Sequence, residues 1–213
     1  MVPAEERTTA ELFDGALAEV EDDDPEWHFD HLLALHGRPT PEVFETARAL
    51  ARDADPLRRK LGVRVLREVG RNAPQAAALR LGNAPLLMEM LEHEQDPVVL
   101  GWVVSAAGYH GMSQALPVLV RLAGHADDFV RFHVAANIPC VVDPGAADDA
   151  AVTAMELLTG DEDDDVRGYA IYGLVVEMEV EPARISGTLA RLLADADPHI
   201  RWLASGAGIE ADS

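Results

Sequence analysis

Apolar positions along this chain fall into a recurring phrase. In Asp163-Asp164-Asp165-Val166-Arg167-Gly168-Tyr169-Ala170 an aliphatic residue stands three places after an aspartate, and apolar or small residues return at Ala170, Gly173 and Leu174. That is the spacing of one face of an α-helix. The stretch from Asp127 gives Val130, Val134, Asn137 and Ile138, and the one from Asp96 gives Val99, Val103, Ala106 and Ala107. Asp197-Pro198-His199-Ile200-Arg201 is another near-intact copy. Asp55-Pro56-Leu57-Arg58-Arg59 keeps the arginine and loses the aliphatic, Asp96-Pro97-Val98-Val99-Leu100 does the reverse, and Asp24-Pro25-Glu26-Trp27-His28 is the most worn.

The phrase predicts a helix start. An aspartate at the N-cap accepts a hydrogen bond from an unpaired N–H of the first turn. Proline next to it is pre-set for helix, and a second acid there faces the positive end of the helix dipole. Asp24, Asp55, Asp96, Asp127, Asp163 and Asp197 are therefore expected caps, 31 to 41 residues apart. A period of about 20–50 residues marks a solenoid. Each period has room for two helices of about 10–14 residues, and such a pair buries its apolar faces only against its neighbours. The expected fold is all-α, an α-α superhelix of about six helix pairs. Arg131, Arg167 and Arg201, one helical turn after their caps, are expected to be structural, reaching acids of their own or the adjacent repeat.

With its Asp-(Asp/Pro)-x-Val-Arg-x-x-Ala pattern, the chain resembles the HEAT-like repeats of the phycobilin-lyase type, a branch of the HEAT/armadillo superhelices. The resemblance spans residues 8–209 as one solenoid: a degenerate N-terminal cap repeat at 8–37, then repeats near 40–70, 85–110, 113–139, 147–178 and 182–209. It implies a fold rather than an activity, because the repeat serves scaffolds, lyases and hydroxylases alike. HEAT-like hydroxylases carry paired His-Glu iron motifs. Here His93-Glu94 is the only His-Glu dipeptide and precedes a cap, so that activity is rejected, and no feature marks a bilin pocket.

Other punctuation fills in the pairs. Thr8 or Thr9 can open a first helix with Leu12, Phe13, Ala16, Leu17 and Val20 inward, whose partner runs from Asp24 to the stop at Gly37. Thr40-Pro41 opens the next, with Val43, Phe44, Ala47 and Leu50 inward. Ser113 is read as a cap for the fourth repeat, and Ile185, Leu189, Leu192 and Leu193 as the inward stripe of the last.

Composition narrows the partners. The formal charge of −21 opposes nucleic acid and anionic membrane surfaces, which are bound through Lys and Arg. Acidity serves solubility or a basic partner. The single Cys140 excludes an internal disulfide and a cysteine zinc site, and is read as a small buried residue. No leader-like stretch and no apolar run of about 18 residues is present, which reads as a cytoplasmic protein. No phosphate loop, nucleophile elbow or zinc-protease motif occurs, so no catalytic residues, metal or cofactor are assigned.

Two clusters remain. One is basic: Arg58, Arg59, Lys60, Arg64, Arg67 and Arg71. Either it is a solvated face paired with acids, or it is a counter-ion site for an acidic or phosphate-bearing group. The other is aromatic. Trp102, His133 and Tyr169 stand at one repeat-equivalent position, with Tyr172 and Trp202 near the same helix faces. They either fill gaps between helices or line a concave groove, for Trp and Tyr are common interface anchors. With only 5% aromatics in the chain, their gathering on second helices favours the groove. The expected function is a non-enzymatic scaffold binding a protein or peptide with basic residues. A small-molecule or cofactor-handling enzyme of the lyase-like branch is the alternative.

Overall fold

The computed structural model describes residues 7–22 and 29–205. It contains only helices and turns among them, in two compact units that divide between His110 and Gly111.

The first unit comprises α1 (Thr9–Asp22), α2 (Asp30–His36), α3 (Pro41–Leu50), α4 (Pro56–Glu68), a 3-10 turn at Pro74–Ala76 leading into α5 (Ala77–Leu81), α6 (Ala84–His93) and α7 (Pro97–Tyr109). Helix pairs α1/α2, α3/α4 and α6/α7 pack within themselves, and α4 lies against both α1 and α7. Its Leu61, Val63, Val65 and Leu66 are almost fully buried. Contact between α3 and α4 is close enough to require Gly62, since a Cβ there would stand 2.5 Å from the Ala51 nitrogen and 2.6 Å from the Ala47 oxygen. Gly70, at φ +66°, ends the stretch after α4 in the left-handed region that glycine adopts without strain.

The second unit comprises a 3-10 turn at Ser113–Ala115, α8 (Leu116–Leu122), α9 (Asp128–Asn137), a 3-10 turn at Pro139–Val141, α10 (Asp149–Leu158), α11 (Asp164–Tyr172) continuing as a π-helical turn at Gly173–Glu177, α12 (Ser186–Leu192) and α13 (Pro198–Ala204). Here the stacking is plain: α8/α9, α10/α11 and α12/α13 form pairs, the second helices pack α9 on α11 on α13, and the first helices pack α8 on α10. This is the arrangement of an α-α solenoid.

The helix starts follow the aspartates. Asp55 accepts from Leu57 N, Asp96 from Val98 N and Val99 N, Asp127 from Phe129 N, Asp163 from Val166 N, and Asp197 from His199 N and Ile200 N. One such cap contributes about 1 kcal/mol. Asp24 lies outside the described residues. The aliphatics three places on, Val99, Val130, Val166 and Ile200, are at most 1% exposed, so each cap fixes where its helix begins to bury.

A second device ties repeats together. Arg59 holds Glu94 through two hydrogen bonds of 2.8 Å. Arg131 holds Asp161 at 2.6 and 2.9 Å, and Arg167 holds Asp195 at 3.1 and 3.3 Å. In each case the acid stands two residues before the next cap and also accepts that cap's own N–H. Each arginine further donates to the two carbonyls that precede its own helix, as Arg131 does to His125 O and Ala126 O. Arg201 makes the same pair of carbonyl bonds, to Asp195 O and Ala196 O. The guanidinium thus braces a cap loop from behind and clamps the following one.

Four local expectations are corrected. Helix α2 opens at Asp30 after a non-helical Phe29, so no single helix runs unbroken to Gly37 from before residue 29. Ser113 caps nothing: it is the first residue of a 3-10 turn without a side-chain cap. Cys140 is exposed, because it lies in the 3-10 turn after α9, where Pro139 and Val141 take the buried positions instead. Leu193 is 52% exposed, since α12 stops at Leu192 and the stripe ends with it.

Candidate functional site

In the second unit α11 and α13 frame an open cavity of about 370 Å³. Asp164, Asp165, Gly168, Tyr169 and Tyr172 line it from α11, and Asp197, His199 and Ile200 from the start of α13. The α11 residues recur every three to four positions, so one helix face supplies them. The N-cap requirement puts the acids in the first turn, and the phenols follow one and two turns later.

Gly168 is the telling position. It sits mid-helix, where glycine costs about 1 kcal/mol relative to alanine. A Cβ there would meet nothing within 4 Å. Packing therefore does not require the glycine; its absent side chain keeps the cavity open. Tyr169 and Tyr172 are 44% and 40% exposed, among the few large side chains left in solvent. Phe132 of α9 steadies the Tyr169 ring edge-on at 4.9 Å. Two phenol faces beside carboxylates suit an organic cation, which gains both cation–π and charge-assisted contacts.

Of the proposed aromatic row, the cavity gathers Tyr169 and Tyr172. Trp202 is 47% exposed and stacks on His199, a wall residue, at 5.6 Å. His133 is buried at 8% exposure, with its ring edge-on to Phe129 and Phe132, and is not among the lining residues. Asp164, Asp165, Gly168 and His199 were not singled out from sequence. The signal was there for one of them: a lone glycine inside a helical stripe.

Trp102 belongs to the first unit, in the company of the basic cluster. Arg64 lies over Trp102 at 4.5 Å and over Phe29 at 4.7 Å. Arg67 lies over Tyr109 at 3.5 Å and Trp102 at 5.6 Å, and Arg71 over Tyr109 at 4.6 Å. Lys60 and Arg64 are buried. The cluster is of mixed character: Arg64 and Arg67 pack on aromatic rings and Lys60 donates to Val20 O, while Arg59, Arg67 and the exposed Arg58 stand against the acids Glu94, Glu68 and Asp53. Burial is the main influence on the Arg67 guanidinium and lowers its proton affinity, as does the charge of Arg71, against the opposing pull of Glu68 and Tyr109.

Among the described residues no group of three or more His, Cys, Asp or Glu stands together as a metal site, and no helix is long and apolar enough to cross a membrane. No protein-family model and no curated protein matches the sequence. Solved structures do. The Escherichia coli protein YibA superposes with a TM-score of 0.70 at 16% identity, over 94% of this chain and 70% of that one. An engineered protein gives 0.63 at 19% identity, over 95% and 92%. A designed armadillo repeat protein, solved in complex with the peptide (KR)4, gives 0.60 at 18% identity, over 93% and 98%. The fold is that of a HEAT/armadillo-type helical repeat.

Proposed function

We propose that this chain is a non-enzymatic repeat scaffold that binds a basic segment of a protein or peptide, and that the cavity between α11 and α13 receives a lysine or arginine side chain. The observation that carries this reading is the open glycine at 168, set between two exposed tyrosines and the carboxylates of Asp164, Asp165 and Asp197. The overall acidity works in the same direction, drawing basic partners in by long-range attraction. The designed armadillo neighbour lends support, since its peptide alternates lysine and arginine. Within the HEAT/armadillo group, the Asp-(Asp/Pro)-x-Val-Arg motif argues for the phycobilin-lyase type of repeat, and we read the protein as cytoplasmic on sequence grounds.

The test is a titration with (KR)4 followed by intrinsic fluorescence. Native protein should bind saturably and more weakly as salt rises. Gly168→Leu should fill the cavity, leave the melting temperature unchanged or higher, and weaken binding about tenfold or more. Failure of the native protein to bind, or unchanged affinity in Gly168→Leu, would overturn the reading.

A further inference from the structure

The far end of α4 carries the opposite chemistry. Past Gly70 the chain turns back through Asn72 and Pro74 into α5, and a second cavity, of about 480 Å³, opens between this turn, α5 and the end of α7. Arg71, Arg80, Tyr109 and His110 line it, with Asn72 beside them and Ala73, Pro74 and Ala77 as an apolar wall.

The arginines here are crowded. Arg67 and Arg71 both lie over the Tyr109 ring. Arg80 donates through Nη1 to Val69 O at 2.9 Å, and through Nη2 to Arg67 O at 3.3 Å and Tyr109 O at 3.4 Å. Its charge is held by neutral carbonyls rather than by a carboxylate. His110 is fixed by a 2.9 Å bond from Nε2 to Leu66 O. Glu68, the nearby acid, is bound by Arg67. No ion pair joins Arg71 or Arg80 to a carboxylate among the described residues. Burial lowers the proton affinity of the Arg80 guanidinium, and the charge of Arg71 lowers it further, with Glu68 opposing. Like charges held together without a counter-ion cost free energy unless an anion joins them. In a chain of net charge −21, such a concentration is hard to ascribe to solubility.

We propose that this cavity is a binding site for a phosphate monoester. With Arg67 balanced by Glu68, Arg71 and Arg80 leave two positive charges, which match the charge of about −1.5 to −2 that a phosphate monoester carries near neutral pH. Arginine's planar fork suits phosphate oxygens, and Arg80 has donors beyond the three contacts above. The apolar wall of Ala73, Pro74 and Ala77 gives room for the organic group that the ester carries.

Three probes of increasing discrimination test the site by calorimetry on the full chain: inorganic phosphate, phenyl phosphate and benzoate. Phenyl phosphate should bind saturably, with benzoate about tenfold weaker or more, because it has the same flat body with half the charge. Saturation by inorganic phosphate as well assigns the affinity to the anion itself; saturation by phenyl phosphate alone assigns it to esters, and both outcomes support the site. Arg71→Gln, at an exposed position, should weaken phenyl phosphate about tenfold or more and leave the protein folded, the lost contact with Tyr109 being offset by relief of repulsion among the guanidiniums. Arg58→Gln, on α4 and outside the cavity, should change neither affinity nor fold. Absence of saturation by any phosphate probe up to roughly 50 mM, equal affinity for benzoate, or indifference to Arg71→Gln would overturn the proposal.

Discussion

The two units are built on one helix-pair plan and carry surfaces of unlike chemistry. In the first, aromatic rings are covered by guanidinium groups: Trp102 by Arg64 and Arg67, and Tyr109 by Arg67 and Arg71. In the second, Tyr169 and Tyr172 stand in solvent beside Asp164, Asp165 and Asp197. Eleven of the 17 lysines and arginines fall in residues 1–110, while the acids divide almost evenly. A single net charge conceals this separation. The framework, namely caps, aliphatics and clamping arginines, uses few positions per repeat, and the remaining positions are free to carry unlike chemistry.

Glycines mark the same contrast and supply its strongest test. Gly62 is closed in by backbone atoms of α3, which cannot give way as a flexible side chain would. Gly62→Ala should therefore destabilise the protein by about 3 kcal/mol through forced separation of α3 and α4, read as a lower midpoint in urea unfolding. Unchanged stability would mean that the two helices are not held at this spacing.

The clamps come next in size. Their side chains are only 6–19% exposed, so each pair lies between the exposed and fully buried limits. Arg131→Met or Asp161→Asn should cost about 1–3 kcal/mol, with the double variant less destabilised than the sum of the two. The hydrogen bond from Arg131 is the main influence on Asp161 and lowers its pKa, outweighing burial. For Asp195 burial is the largest single influence and acts upward, but bonds from Asp197 N–H and Arg167 together outweigh it. Glu94 follows the same balance, with burial opposed by Arg59. Each of these carboxyls has a folded pKa below its unfolded one. Its contribution is complete above the usual carboxylate range, about pH 4, and is lost as pH falls through the depressed value. Two such pairs lie in the second unit and one in the first. Glu177, raised by burial, opposes them in the second unit. Burial also holds His36 and His110 of the first unit below the ordinary histidine value, so that unit loses stability as pH falls below about 6.5 and the carboxyl clamps give way only at lower pH. Amide exchange should therefore rise first in the first unit, Asp161→Asn should flatten only the lower-pH step in the second, and a second unit that opens first would break the comparison.

Much of this framework is legible in the chain, because capping is local: an aspartate, a proline or acid, and an aliphatic lie within five residues. The clamps are legible by half. The arginines stand out, but their partners lie 28 to 35 residues downstream and are recognised only through the acid two places before the next cap. In the sequence alone Arg59 is therefore indistinguishable from the basic residues around it. The cavity was not legible beyond its tyrosines. It depends on how closely α13 approaches α11 and on empty space above a glycine, neither of which leaves a local trace. Cys140 and Leu193 mislead for a related reason, since both stand just past the end of a helix whose apolar spacing they continue.

A smaller effect comes from the arginine-covered rings. Tyr109→Leu keeps the apolar bulk and removes the ring face under Arg67 and Arg71, and should lower stability by about 1 kcal/mol. The loss should shrink in high salt, where screening eases repulsion between the uncovered guanidiniums. Tyr169→Leu in the second unit loses its edge-on contact with Phe132 instead, a cost that salt should leave unchanged, since no guanidinium is seen over that ring among the described residues. Equal salt dependence at the two tyrosines would erase the distinction between covered and open rings.

The smallest expected change is opposite in sign. Gly168→Ala introduces a methyl group into open space and replaces the most flexible residue with the best helix former. If the glycine serves only to leave room, stability should rise by about 0.5–1 kcal/mol, the reverse of Gly62→Ala. Urea unfolding of the two variants side by side reads the contrast directly. Affinity for a basic peptide should fall modestly in Gly168→Ala and steeply in Gly168→Leu, because the ligand loses space in proportion to the side chain. A drop in stability would mean that Gly168 is needed by the fold itself, and its emptiness could no longer be assigned to a ligand.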